Sequence, residues 1–216
     1  MSKHQIRNTV PYFPEPYIER KANKLLHRYE EEFSCKITSP PIPVEEIADF
    51  LLELNLDWEE IDEEDVLAFL KPSTKTITLN SLKRSFFETY FGTEQYTLAH
   101  ELGHWELHVF NSELSQGSLI EKSPTKTFIC RNYRKDRMEF QADIFASYLL
   151  MPTNLIKASL EMRSLTWTFL YELRDEYQVS ITALRRRLEG LGMLYVTDDG
   201  KVFSSKAEAF GQKRLF

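Results

Sequence analysis

The segment Leu98–Leu107, LAHELGHWEL, restricts the possible folds more than any other part of the chain. On a helix, His100 and His104 lie one turn apart on one face, the spacing at which two imidazoles reach a single metal ion. Their neighbours Leu98, Ala99, Leu102 and Trp105 are apolar, and Gly103 allows a second backbone to come close. A helix that is apolar on most sides belongs inside a protein, so its polar groups need partners from another element. Glu101 sits beside the histidines. A carboxylate next to an open coordination position of zinc accepts a proton from water whose pKa the metal lowers, which is the chemistry of peptide hydrolysis.

A catalytic zinc takes three protein ligands, so a third is needed. His108 continues the series, but a straight helix sets it about 12 Å along the axis from His100. It also fails the longer motif with a third histidine six residues after the second, because position 110 is Phe. Glu139 is the better candidate. It begins the segment EFQADIFASYLLMP, which has the apolar spacing of the next long helix, and Asp143 shares its face one turn on. Glu139 would complete the metal set, and Asp143 would accept a hydrogen bond from a liganding imidazole and fix its tautomer. The expected cofactor is Zn2+, with Mn2+ or Fe2+ as alternatives for such His and carboxylate donors. The only cysteines, Cys35 and Cys130, lack the spacing of a zinc knuckle or redox pair and are read as free thiols. Metal binding by Cys130 is the alternative.

Helical periodicity marks residues 16–33, 44–54, about 93–110, 137–151, 167–177 and 180–191. Strand character marks 56–58, 66–70 and 76–80, and a hairpin is expected over 194–203 with its turn at Asp199 and Gly200. Residues 111–136 read as a long loop and the last dozen as a loose tail. The expected class is α+β: a helical zinc-peptidase domain with a small antiparallel sheet over residues 1–160, then a helix-turn-helix-like segment over 161–216 with a short hairpin. The strand Thr76–Asn80 would offer its edge to an extended substrate.

Charge narrows the partners. A net charge of -6 weighs against a nucleic-acid binder that works through bulk electrostatics, although Arg185, Arg186 and Arg187 fall on the second helix of the helix-turn-helix-like segment. Direct DNA binding is therefore the lesser alternative to docking a protein partner. In the long loop, Lys122, Lys126, Arg131, Arg134, Lys135 and Arg137 would steer an acidic substrate segment, and Tyr133 or Arg131 would stabilise an oxyanion. The first eight residues are polar, and no apolar run approaches the roughly 18 residues of a membrane span, so a cytoplasmic protein is expected.

The blocks TLAHELGHWELH at Thr97–His108 and MEFQADIFASYLLMP at Met138–Pro152 together resemble the ImmA/IrrE family of bacterial metallo-endopeptidases. The Pro-rich entry at Pro40, the strand ending in Asn80 and QVSITALRRRLEGLGML at Gln178–Leu194 are similar to that family in the same order, so the resemblance covers roughly residues 16–203. It implies that His100, His104 and Glu139 bind zinc and that Glu101 is the general base. It also implies a substrate: a helix-turn-helix transcriptional repressor whose cleavage releases stress-response or mobile-element genes. A DNA-binding regulator with a structural metal site, or a toxin-antitoxin or phage-defence component, is the alternative reading.

Overall fold

A computed structural model describes residues 12–109, 127–131, 137–161 and 163–211. Helix α1 (Glu15–Glu32) starts behind Pro14 and turns Ile18, Ala22, Leu25, Leu26 and Tyr29 inward, the stripe of an amphipathic helix lying on a core. Helix α2 (Val44–Glu46) continues as a π-helical turn over Ile47–Leu51. It ends short of the expected Leu54, because Glu53 takes a left-handed conformation (φ 54°) that reverses the chain into β1 (Asn55–Glu59).

Strands β2 (Val66–Lys71), β3 (Thr76–Asn80) and β4 (Phe128–Arg131) complete a four-stranded sheet in the order β1-β3-β2-β4. The sheet is mixed rather than wholly antiparallel. β2 pairs antiparallel with β3 and β4, but β1 runs parallel to β3, with Asn55 opposite Thr76. The turn through Pro72–Thr74, closed by Lys75 at φ 50°, folds β3 back between β1 and β2. Both edges of β3 are thus occupied, which removes the expected substrate edge at Thr76–Asn80. The edge strands are β1 and β4.

Asn80 holds this crossover together. Its fully buried side chain accepts from the Ile61 and Leu82 amides (3.2 and 3.0 Å) and donates to the carbonyls of Ile61 and Val66 (3.0 and 2.9 Å). Truncation would leave buried backbone groups unpaired, so Asn80→Ala is expected to lower stability by about 3 kcal/mol in urea unfolding.

Helix α3 (Arg84–Thr89) leads to Gly92 and helix α4 (Thr93–His104), which continues as a π-helical turn over Trp105–Val109. Every residue from Thr97 to His104 is buried, so α4 is the central helix that its composition required. It packs on α5 (Arg137–Leu150). A Cβ on Gly103 would stand 3.0 Å from Ala142 Cα and 3.1 Å from Phe145 Cβ, and this close approach is what carries residues of α5 to the histidines.

Four features were not expected: the short helix α3, β4 inside the long loop, helix α6 (Thr153–Leu160) after Pro152, and a short helix α9 (Lys206–Ala209) in the tail. Helices α7 (Trp167–Tyr177) and α8 (Ile181–Gly190) match the helix-turn-helix spacing. Thr166 and Ser180 cap them, and Gln178 turns between them at φ 52°. A two-stranded hairpin, β5 (Tyr195–Val196) and β6 (Val202–Phe203), follows. Buried apolar residues from Ile18 to Leu194 form one cluster, so α7 and α8 share the core of α4 and α5. Among the described residues no helix is long and apolar enough to cross a membrane. The basic residues expected in the loop lie outside the described residues except Arg131 and Arg137, as does Tyr133.

Candidate metal centre

His100 and His104 point the same way from successive turns of α4, with their Nε2 atoms 3.1 Å apart. Glu139, in the first turn of α5, reaches both: Oε2 is 3.3 Å from His100 Nε2, and Oε1 is 3.4 Å from His104 Nε2. Four donors bound tetrahedrally at about 2.0–2.1 Å would stand roughly 3.3–3.4 Å apart, so this triangle has the dimensions of one face of a zinc site. All three residues are buried. His108, set aside as a ligand on distance, is not part of the group.

The outer nitrogens of the imidazoles are held as well. His100 Nδ1 is 2.9 Å from Asp143 Oδ1, and the Tyr96 hydroxyl donates to the same carboxylate oxygen and to the Asp143 carbonyl (3.3 Å each). His104 Nδ1 lies 3.1 Å from His108 Nδ1, and His108 Nε2 lies 3.0 Å from Gln141 Oε1. An amide oxygen only accepts, so His108 carries its proton on Nε2 and offers the Nδ1 lone pair to His104 Nδ1–H. That tautomer leaves the His104 Nε2 lone pair facing His100 and Glu139. Phe128 of β4 stacks on His104 with ring centroids 4.8 Å apart, closing the other side. Tyr96, His108, Gln141 and Phe128 were not named as site residues. The signal for His108 was present, since it stands four residues beyond His104, the spacing that joins His104 to His100.

Electrostatics follow from burial among these groups. Burial opposes a charge on His104 and takes its pKa down to about 4, which leaves the neutral ring that a metal needs. Burial also opposes a charge on His100, but the Cys130 sulfur and the carboxylates of Asp143 and Glu139 carry its pKa well above the ordinary value. For Glu139 burial acts upward, yet the hydrogen bond with His100 holds the carboxyl well below the usual carboxylate range. Cys130 lines the cleft and is a free thiol whose pKa burial raises.

Glu101 differs from the rest. It is fully buried, burial pushes its pKa up to about 8, and neither carboxylate oxygen has a hydrogen-bond partner among the described residues. An unpaired buried carboxylate is costly, and a cation among the neighbouring donors, with water beside it, supplies the partners it lacks. The donor set and this orphaned carboxylate both fit a zinc ion.

An α+β domain whose central helix brings two histidines to a glutamate of the next helix defines a metallopeptidase-like protein. Residues 53–189, more than half of the chain, match the family model Peptidase_M78, the IrrE N-terminal-like domain, and the chain belongs to that family. A Mycobacterium tuberculosis transcriptional regulator has a similar fold, with a TM-score of 0.51 at 13% identity over 87% of this chain. The chain spans 55% of that protein's length. No curated protein matches the sequence.

Proposed function

We propose that this protein is a zinc-dependent endopeptidase that cleaves a protein partner, with His100, His104 and Glu139 as metal ligands and Glu101 as general base. The observation that carries the reading is Glu101, a carboxylate buried without partners beside a tetrahedrally spaced donor set. Bound zinc supplies a Lewis acid that polarises a peptide carbonyl and lowers the pKa of water.

The protein's own groups do the remainder. Glu101 takes the proton of the attacking water on a carboxylate oxygen and returns it to the leaving amide nitrogen, with no covalent enzyme intermediate. Asp143 and the His108–Gln141 pair hold the two imidazoles in the tautomers that present Nε2. The edge of β4 that pairs with no described strand, and whose Phe128 lies against His104, would align the substrate main chain. In this reading residues 1–160 carry the chemistry, and residues 161–216 brace it and wall the cleft.

The family resemblance supplies the substrate: a helix-turn-helix repressor of stress or mobile-element genes. Co-expression with the helix-turn-helix protein encoded beside this gene should yield a cleaved fragment by mass spectrometry, and the Glu101→Gln chain should yield none. An intact partner with the zinc-loaded parent would shift the assignment to a DNA-binding regulator. His108→Ala is expected to weaken zinc affinity by roughly 10- to 100-fold in chelator competition while the helix content is retained.

A further inference from the structure

The three consecutive arginines of α8 have different surroundings. Arg185 pairs with Glu189 one turn on, at 2.7 Å. Arg187 is buried, donating to the Met151 carbonyl (3.1 Å) and Thr153 Oγ1 (2.9 Å) with its guanidinium 4.0 Å from the Tyr148 ring centroid. Arg186 is exposed and has no hydrogen bond, ion pair or ring contact with any described residue. Successive helical positions differ by about 100°, so the run does not present one basic face.

Arg186 lines the cleft of about 560 Å³ that also contains His100 and Glu139. Ser180, Thr182 and Ala183, at the start of α8, line it too. In a DNA-reading helix-turn-helix the start of the second helix meets the base edges. Here that end is turned toward the metal group. The lining also includes the apolar side chains of Phe86, Phe140 and Ile144. Among the described lining residues the carboxylates are Glu139 and Asp143, and both are engaged by His100. A guanidinium with no partner among the described residues, in a cleft lined partly by apolar side chains, favours a carboxylate, which its planar fork binds through two parallel hydrogen bonds.

We infer that Arg186 determines specificity in this cleft: it receives an aspartate or glutamate side chain of a substrate segment that extends from the metal group across the first turn of α8. The inference rests on the peptidase reading, which places the scissile bond at the metal end.

The test presents a random peptide library to the zinc-loaded full chain and to its Arg186→Ala and Arg186→Glu variants, with the new termini sequenced. The same library is passed over zinc-loaded Glu101→Gln protein, with and without the Arg186→Glu change, so that selection is read even without turnover. Cleaved and retained peptides should be enriched about tenfold in Asp or Glu at one position. Arg186→Ala should lose this enrichment, and Arg186→Glu should replace it with Lys or Arg. A switch in preferred charge is an effect that loosened packing does not produce. Retention with an acidic preference but no cleavage by the parent would support the subsite while counting against the peptidase reading. Identical profiles with and without the charge reversal, or no retained peptide at all, would overturn the inference. So would loss of duplex-DNA binding as the sole effect of Arg186→Glu, which would assign the side chain to nucleic acid.

Discussion

Glu101→Gln is expected to lower the rate of peptide cleavage by about 10²–10⁴-fold, the usual contribution of a positioned general base. Glutamine keeps the shape of glutamate but cannot take a proton from water, so the effect should fall on kcat, with KM little changed. Zinc content should stay at the parental level, because Glu101 is not one of the three clustered donors. Thermal stability should stay near the parental value, since an amide of the same shape replaces a carboxyl group that burial already keeps neutral below about pH 8. Kinetics on a cleaved partner, zinc analysis and a melting curve on one preparation check all three. A variant that cleaves at the parental rate would remove Glu101 from the mechanism, and one that loses zinc would recast it as a ligand.

Gly92→Ala is expected to cost about 2–5 kcal/mol, read from the urea midpoint. Gly92 caps α4 at φ 77°, a left-handed conformation that costs a residue with a Cβ roughly 1–2 kcal/mol. The added carbon would also stand 2.6 Å from the Gln178 carbonyl oxygen and 2.6 Å from Val179 Cα. Those are backbone atoms that no rotamer change can move, and overpacking of this kind costs about 1–3 kcal/mol. Gly92 also lines the cleft, and it is where the turn between α7 and α8 meets the start of the metal-bearing helix. The substitution should therefore reduce cleavage as well as stability. A midpoint within about 0.5 kcal/mol of the parent would show that the two elements can separate without loss.

The readings that succeeded were those written in local spacing. The outer helices α1, α7 and α8 came within two residues of their expected limits, because an amphipathic stripe and its caps are encoded over a few adjacent turns. The apolar flanks of His100 and His104 called for a buried helix, and α4 is buried along its last two turns. That Glu139 and Asp143 face the histidines was inferred from their spacing and from the need for another ligand, and the close contact at Gly103 is what brings them there.

Strand order was illegible. Three short apolar runs carry no record of which neighbour each will pair with, and β1 beside β3 is a choice between long-range packings that Asn80 secures. The strand β4 has only four residues and takes its regularity from pairing with β2. The arginine run gave no hint that one member would be paired, one buried and one without a partner among the described residues, because each fate depends on what the rest of the fold places opposite.

Local periodicity along the chain thus pointed to the α+β class, and spacing within two helices marked the two histidines and the carboxylates to expect with them, since a helix sets the relative positions of residues a turn apart before anything else folds. Contacts between distant segments decided the rest: the mixed sheet, the hydrogen bonds behind each imidazole, the isolation of Glu101 and the cleft wall made by α8. Those depend on the free energy of burying separate surfaces against one another, which no local stretch of residues contains.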